Sequence, residues 1–513
     1  MKHLLFSFRL IVLVITLMQG TGIVMGSDFL HEGFYYNKIS DTEVELQGID
    51  YLAYGTIHPS VGGMYYLYIP GEFSYGGHHY TVTKIATYAF YNHNNIKYVY
   101  IPPTIKFIGT GAFDCPNLEK VEISDIAAWC KINFDYLRMD EYGNYWVNYS
   151  GEYGQDTYYG GNPLEFAHHL FLNGEEVVNL VLPESLDTIS AGAFSGCTGL
   201  KTVNTGNGVK YIGGGAFEYC DSLTEVTVGT SVRNMGIIIH WYDGRLPAIP
   251  FNWSPFAYTV TRLVWNARSC ESFPFGMMVG DGNPNLEQII LGEEVETIPD
   301  HFANNMRSIS EITIPNSVTS IGISAFYNCM GLTSVTIGNS VTEIPQDCFY
   351  YCIGLTSVTI GNSVTSIGGG AFYGCSGLTS VTIGNSVDSI GKYAFHSCYG
   401  LTNVTCLAKT PPFAKESDVY QNYNATLYVP AESLNAYKTT YPWSLFNIQP
   451  IPAEGGAGDV NGDGKINIDD VTALINHLLK QTPVEGNADV DDNGRANIDD
   501  VTTLINMLLH KEH

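Results

Sequence analysis

The chain of 513 residues is acidic, with 51 aspartates and glutamates against 24 lysines and arginines and a formal net charge of -27. We therefore expect neither nucleic acid nor an anionic membrane surface as a partner, because both would be repelled. The length allows several domains, or one elongated repeat array closed by a small terminal module.

The N-terminus has the layout of a secretory signal peptide. Lys2 and Arg9 precede an apolar run over residues 10–18, and small residues end the segment. The apolar run is too short to span a bilayer. We predict that residues 1–26 direct export, that the product is secreted or extracellular, and that it has no membrane span.

A repeat of 23 residues fills much of the chain. Three consecutive copies read SVTSIGISAFYNCMGLTSVTIGN, SVTEIPQDCFYYCIGLTSVTIGN and SVTSIGGGAFYGCSGLTSVTIGN. A fixed short period is typical of a solenoid, in which each row buries its apolar face against its neighbours. Within a row, Val358 and Ile360 alternate with polar residues, which predicts a short strand with one buried face.

Cysteines recur at one position of the repeat, and we interpret them as small buried side chains. No CxxC pair or histidine cluster accompanies them, so metal binding is not expected. The recurring residues are Cys329, Cys352, Cys375 and Cys398. A disulfide within a second set remains an open alternative, and that set comprises Cys130, Cys270, Cys348 and Cys406.

These rows resemble the BspA-like leucine-rich repeats of exported bacterial proteins, as in LTSVTIGNSVTSIGGGAFYGCSG. The resemblance implies a mainly β solenoid of short parallel strands with turns or short helices, and a role in adhesion and protein binding. We assign an N-terminal cap to residues 27–80 and the solenoid to residues 81–424. A C-terminal cap, ATLYVPAESLNAYKTTYPWSLFNIQPI, is assigned to residues 425–451.

Two inserts interrupt the repeat, near residues 124–170 and 229–284. The first contains NFDYLRMDEYGNYWVNYSGEYGQDTYYGG, and the second contains Trp241, Tyr242, Trp253 and Trp265. Exposed aromatic rings can stack on sugars or anchor a protein partner. The alternative, which we favour, is that these rings only cover the flank of the solenoid.

The sequence contains no recognisable catalytic constellation. It lacks G-x-S-x-G, H-E-x-x-H and a glycine-rich phosphate loop. The pairs His78-His79 and His168-His169 are the nearest candidates, but adjacent residues of an extended chain point to opposite faces. We predict that the protein is not an enzyme and has no catalytic residues.

The C-terminal stretch GDVNGDGKINIDD has the ligand spacing of a calcium loop, and ADVDDNGRANIDD repeats it. Each loop offers oxygen atoms at positions 1, 3, 5, 7, 9 and 12 around a glycine at position 6. We predict two Ca²⁺ ions as cofactors. The predicted ligands are Asp459, Asn461, Asp463, Lys465, Asn467 and Asp470 in the first loop and Asp489, Asp491, Asn493, Arg495, Asn497 and Asp500 in the second.

An apolar helix is predicted to follow each loop. The two apolar faces are expected to pack together, since their residues have helical spacing. They comprise Val471, Leu474, Ile475, Leu478 and Leu479, and the equivalent Val501, Leu504, Ile505, Leu508 and Leu509. The segments that enter the loops are rich in proline and glycine and cannot form the incoming helix of an EF-hand.

Two such loop-helix units resemble a type I dockerin. The resemblance implies a small all-α calcium-binding module over residues 459–513, after a linker at 452–458, that binds a cohesin module of a scaffold or surface protein. The implied partner-binding residues are Ile468, Asp469, Asn476, Ile498, Asp499 and Asn506. The pairs Ile468-Asp469 and Ile498-Asp499 replace a small hydroxyl pair common in dockerins, so the class of cohesin stays open.

Three functions are consistent with these features. The leading hypothesis is an exported, non-catalytic adhesion protein whose array binds a protein or glycan and whose dockerin attaches it, through calcium, to a cohesin-bearing scaffold or surface. The alternative is a carbohydrate-active or glycan-binding component of a cellulosome-like complex that breaks down polysaccharides. A third hypothesis treats the terminal module as a calcium-dependent cap without a cohesin partner.

Overall fold

The computed structural model describes residues 27–50, 65–135, 138–139, 145–146, 161–236, 256–270, 283–414, 420, 423–451, 458, 460–461, 466–480, 488–490 and 496–509. Two apolar cores form within these residues, one between Phe34 and Ile448 and one between Val460 and Leu504. The predicted signal peptide lies outside the described residues, as does the predicted linker apart from Gly458.

Short strands dominate the fold. The first part of the chain contains β1 Phe29–His31, β2 Phe34–Lys38, β3 Glu43–Ile49, β4 Tyr65–Tyr68, β5 Glu72–Tyr75, β6 His78–Ile85, β7 Ile96–Ile101, β8 Phe107–Ile108, β9 Lys120–Ile123, β10 Asn133–Phe134, β11 Arg138–Met139, β12 Tyr145–Trp146, β13 Leu170–Leu172, β14 Glu175–Glu176, β15 Asn179–Val181, β16 Thr188–Ile189, β17 Thr202–Asn204, β18 Tyr211–Ile212, β19 Glu225–Val228 and β20 Asn234–Met235. The second part contains β21 Arg262–Trp265, β22 Gln288–Leu291, β23 Thr297–Ile298, β24 Glu311–Thr313, β25 Ser320–Ile321, β26 Ser334–Thr336, β27 Glu343–Ile344, β28 Ser357–Ile360, β29 Ser366–Ile367, β30 Ser380–Ile383, β31 Ser389–Ile390, β32 Asn403–Cys406, β33 Phe413–Ala414, β34 Thr426–Val429 and β35 Asn447–Pro450.

Helices are few and short before the C-terminal module. The α-helices are α1 Ile126–Cys130, α2 Leu164–Ala167, α3 Leu434–Thr439, α4 Ile468–Lys480 and α5 Ile498–Leu509, and 3-10 turns lie at Ala431–Ser433 and Trp443–Leu445. No helix within the described ranges is long and apolar enough to cross a membrane.

Two columns of parallel strands form the walls of the array. The longer strands stack row on row in register, so that Val358 pairs with Val381 in the next row. Two-residue strands form the opposite wall, where Ile367 pairs with Ile390. The array has about 13 turns. The predicted solenoid of short parallel strands is confirmed.

Phenylalanine rings and cysteine thiols form a ladder between the walls. Phe349 and Phe372 stack with ring centroids 5.3 Å apart, and the thiol of Cys375 donates a hydrogen bond to the carbonyl of Phe349 at 3.1 Å. Burial raises the pKa of the Cys398 thiol to about 12. The predicted buried position of the recurring cysteines is confirmed. The free, buried thiols also include Cys130, Cys270, Cys348 and Cys406.

Solenoid rows extend into ranges that the sequence analysis assigned to the N-terminal cap and the inserts. In parallel pairings, β4 joins β7, β13 joins β9, and β21 joins both β19 and β22. Phe256 stacks on Phe217 at 5.8 Å and continues the ladder through the second insert. Trp265 is fully buried in this row, so it is a core residue rather than an exposed binding residue.

For the other clustered tyrosines and tryptophans of the two inserts, the structure describes no side chain. For Tyr145 and Trp146 only the backbone, in β12, is described. The other clustered aromatic residues of the two inserts lie outside the described residues, namely Tyr142, Tyr149, Tyr153, Tyr158, Tyr159, Trp241, Tyr242 and Trp253.

A compact aromatic segment follows the last rows. β34 and β35 extend the longer wall in parallel, and Tyr437 and Trp443 between them are fully buried. The Tyr437 hydroxyl donates to the carbonyl of Ala408 at 2.8 Å, and the Trp443 indole N–H donates to the carbonyl of Pro412 at 2.9 Å. These contacts support our proposal that residues 425–451 close the end of the apolar stack.

Candidate calcium-binding and docking site

Each C-terminal helix begins within its loop, directly after an asparagine that caps it. Oδ1 of Asn467 accepts a hydrogen bond from the N–H of Asp469 at 2.6 Å, and Oδ1 of Asn497 accepts one from Asp499 at 2.7 Å. These bonds satisfy N–H groups that have no partner within a helix. Position 9 of each loop therefore also starts a helix, a role that ligand spacing alone does not indicate.

The carboxylate of Asp470 closes the first loop from within. Asp470 is fully buried. Its Oδ1 accepts hydrogen bonds from the N–H groups of Val460 at 2.9 Å and Asn461 at 3.1 Å, and its Oδ2 accepts one from Asn467 at 2.8 Å. One side chain thus joins the beginning of the loop to its end and to the first turn of α4.

The second loop repeats this arrangement. Asp500 is also fully buried, and its Oδ1 accepts from the N–H of Val490 at 2.7 Å. Its Oδ2 accepts from the N–H of Asn497 at 2.6 Å. The two loops therefore share the same internal closure.

The described members of the predicted ligand set offer oxygen donors. They are Asn461, Asn467, Asp470, Asp489, Asn497 and Asp500. Oxygen donors suit Ca²⁺, and Oδ2 of Asp470 has a lone pair beyond the one that accepts the N–H of Asn467. The donor chemistry therefore fits a calcium ion in each loop.

The other predicted ligands lie outside the described residues, namely Asp459, Asp463, Lys465, Asp491, Asn493 and Arg495. Across the part of the chain that is described, no three His, Cys, Asp or Glu side chains form a group that could hold a metal ion.

The two helices pack through a narrow apolar contact. Val471, Leu474 and Leu504 are buried in it. Ile475 and Ile505 were expected on the same packing face, but they are 38% and 40% exposed, so the expectation is wrong for these two residues. Adjacent helical residues are about 100° apart, and a contact with one partner helix does not bury both members of a Leu-Ile pair. Leu479 is likewise exposed.

The predicted partner-binding residues lie on the surface. Ile468 and Ile498 are 66% and 69% exposed, Asp469, Asp499 and Asn506 are exposed, and Asn476 is half-buried. Several exposed isoleucines on so small a module are typical of a surface that a partner covers. We define the docking face as Ile468, Asp469, Ile475, Asn476, Ile498, Asp499, Ile505 and Asn506.

The histidine pairs make ordinary structural contacts. In the β5–β6 hairpin, Nε2 of His79 lies 3.4 Å from a carboxylate oxygen of Glu72. Nδ1 of His169 lies 2.6 Å from Glu176, while His168 follows the end of α2 with a φ of 60°. Each of these contacts joins a histidine to a neighbouring strand or turn.

Two family models match the chain. The model for the BspA type leucine rich repeat region matches in six copies, over residues 78–135, 165–242 and 281–406, which is more than half of the chain. The model for the dockerin type I domain matches residues 457–509. A search of curated proteins found no match.

Several solved structures are similar to the chain. A leucine-rich cell surface protein from Faecalibacterium prausnitzii A2-165 is 19% identical, with 82% of this chain and 98% of that chain covered and a TM-score of 0.32. A leucine-rich repeat protein from Bacteroides ovatus is 16% identical, with 83% and 100% covered and a TM-score of 0.34. The pneumococcal vaccine antigen PcpA is 16% identical, with 83% and 99% covered and a TM-score of 0.37.

Proposed function

Because the chain belongs to the family of BspA-type leucine-rich repeat proteins and carries a dockerin type I domain, we propose that it is an exported adhesion protein held by a cohesin-bearing partner. In this proposal the solenoid binds a protein or glycan, and the docking face binds a cohesin module of a scaffold or surface protein. The observation that carries the proposal is the exposure of Ile468 and Ile498 at the same position of two duplicated helices.

Calcium is proposed to maintain this surface. When bound, Ca²⁺ supplies positive charge that offsets the repulsion between the loop carboxylates. Asp470 and Asp500 join each loop to the first turn of its helix, where Ile468 and Ile498 lie. Ordering of the loops and presentation of the docking face are therefore linked, and a chelator is expected to release the partner.

We also propose that the protein has no catalytic activity. Leucine-rich repeat and dockerin families are generally non-catalytic. A hydrolytic component of a polysaccharide-degrading complex would release reducing sugars from its substrate. Incubation of the full chain with plant and bacterial polysaccharides is expected to release none, and a steady release would favour the carbohydrate-active alternative.

The docking proposal is tested by affinity capture from the secreted and surface fractions of the source cell. The full chain is immobilised in calcium, and we expect it to retain one large scaffold protein that a chelator releases. A variant with Ile468→Ser and Ile498→Ser should lose this protein. The matched control carries Ile323→Ser and Ile353→Ser, which change similarly exposed isoleucines of the solenoid and should not affect capture.

Capture that survives both the chelator and the docking-face variant would contradict this proposal. The terminal module would then be better explained as a calcium-dependent cap.

A further inference from the structure

The outward positions of the longer wall carry different residue types at the N-terminal end of the solenoid than in later rows. In later rows the outward positions of the longer wall carry small polar residues, as on β28 and β30 with Ser357, Thr359, Ser380 and Thr382. On β4 and β7 the same wall carries tyrosines instead, in register across the two strands. We define the tyrosine face as Tyr66, Tyr68, Tyr98 and Tyr100.

The rings of the tyrosine face form a continuous aromatic surface. The ring centroid of Tyr98 lies 5.7 Å from that of Tyr66 and 5.4 Å from that of Tyr68, and the rings are tilted. Tyr66 and Tyr68 are 48% and 50% exposed, whereas Leu67 and Val99, the inward residues of the same strands, are fully buried. The core is thus formed without these rings, and so much exposed aromatic surface is typical of a binding site.

A partly buried ion pair between Lys120 and Glu122 lies at the border of this face. Lys120 is paired in register with Tyr98, and its Nζ lies 5.3 Å from the centroid of the Tyr98 ring and 3.9 Å from that of Phe171. The same Nζ lies 2.8 Å from Oε2 of Glu122, which is only 7% exposed. Oε1 of Glu122 accepts a hydrogen bond from the N–H of Gly174 at 2.5 Å. Lys120 is therefore held in one position before any ligand arrives.

The hydroxyl groups of the face are also positioned. The hydroxyl of Tyr100 lies 3.0 Å from Oγ of Ser124 in the adjacent row. Burial raises the pKa of Tyr98, and its hydroxyl, which is protonated at neutral pH as in any tyrosine, can donate a hydrogen bond. The site thus combines flat aromatic surface with a few fixed polar groups, as small-molecule and glycan sites do.

The charge of the protein argues against an acidic ligand for the tyrosine face. Lys120 is neutralised by Glu122, and the chain as a whole carries a formal charge of -27, so an acidic ligand would be repelled. A neutral sugar ring has an apolar C–H face that packs on tyrosine and hydroxyls that bond to tyrosine hydroxyls and charged groups. We propose that the tyrosine face binds a neutral polysaccharide chain. This inference rests on the ligand-binding role proposed above for the array and specifies its site and ligand.

The test is calorimetric titration of the full chain, in calcium, with cellohexaose, xylohexaose and mannohexaose, and with an oligogalacturonate as the acidic comparison. We expect at least one neutral hexasaccharide to bind and the oligogalacturonate not to bind. A variant with Tyr66→Ala and Tyr68→Ala should bind roughly tenfold more weakly or worse. Both side chains are half exposed, so the variant should retain the thermal unfolding profile of the wild type.

Two further variants separate the contribution of ring stacking from that of the tyrosine hydroxyls and test whether the effect is specific to this face. Tyr66→Phe with Tyr68→Phe keeps the rings and should retain most of the affinity if stacking dominates. The matched control, Thr359→Ala with Thr382→Ala, changes the same wall in later rows and should bind like the wild type.

The inference is overturned if no neutral hexasaccharide binds, if the acidic probe binds more tightly, or if the alanine variant binds as well as the wild type. It is also overturned if the alanine variant loses only a protein ligand. Failure of this inference can be distinguished from failure of the proposed function, because capture of a cohesin-bearing partner is measured in a separate experiment. If the alanine variant still binds another ligand of the array, the ligand-binding role proposed for the array stands and only the tyrosine face is excluded as its site.

Discussion

Asp470 closes the first loop through its hydrogen bonds and is also a proposed calcium ligand. Asp470→Asn keeps the shape of the side chain but removes the charge and replaces an accepting oxygen by an N–H₂ group that faces backbone donors. We expect calcium affinity and helix stability to fall together, by about 1 to 3 kcal/mol in the free energy of unfolding of the module. Calcium titration followed by circular dichroism measures both.

The neighbouring Asp469 provides the control. Asp469→Asn changes the charge by the same amount on an exposed side chain of the same helical turn. An equal loss of calcium affinity in both variants would show that net charge, rather than the buried contacts of Asp470, is responsible.

We expect Glu218 to make the stability of the solenoid depend on pH. Burial raises the pKa of its carboxyl from 4.5 to about 7, although a hydrogen bond with Tyr219 opposes the shift. The folded state therefore holds a proton that the unfolded chain releases, so stability falls as pH rises from about 4.5 to about 7.

The corresponding variant is Glu218→Gln, which mimics the protonated carboxyl. We expect it to match the wild type at pH 4 and to exceed it at pH 8 by on the order of 2 kcal/mol or less. Denaturant unfolding at both pH values measures the difference. A wild-type stability that is flat over this range would contradict the prediction.

At the scale of the element, the phenylalanine ladder determines the stability of a row. Phe372 stacks between Phe349 at 5.3 Å and Phe395 at 5.2 Å. Phe372→Ala leaves a cavity between two rows and is expected to cost about 3 to 5 kcal/mol. Denaturant unfolding measures the loss, and Thr382→Ala, on the outer surface, should cost far less. An equally small effect of both changes would show that neighbouring rows collapse into the cavity.

We expect the helices α4 and α5 to depend on calcium because their shared core is small. Its buried residues are Val460, Val471, Leu474, Val490, Val501 and Leu504. These six, the apolar side chains buried among the described residues of the module, cannot by themselves offset the conformational entropy of two loops and two helices. Addition of a chelator should therefore reduce the helical circular dichroism signal without changing the thermal transition of the solenoid. Helix content that persists in the chelator would contradict this dependence.

At the scale of the whole molecule, the two apolar cores share no residue. We therefore expect residues 27–451 and residues 452–513 to fold as separate proteins, the second only in calcium. The isolated array should unfold within a few degrees of its transition in the full chain. A large loss of stability in either part would show that the proposed linker does not separate two independent units.

Much of this molecule could be predicted from its sequence. The 23-residue period determined the solenoid, because every row repeats the same contacts with its neighbours and so repeats the same residues. The spacing from Asp459 to Asp470 likewise predicts a calcium loop, since the predicted ligands lie close together in the chain, and this stays a prediction.

Contacts between residues far apart in the sequence could not be predicted from it, and only the tertiary structure shows them. The row at Phe256 escaped the period because the insert after Phe217 places it farther along the chain than the 23-residue spacing predicts. The exposure of Ile475 depends on where the second helix packs, and the position of Lys120 depends on Phe171, which lies 51 residues later. No local pattern records such pairings, because stacked rows bring them together only after the intervening chain has folded.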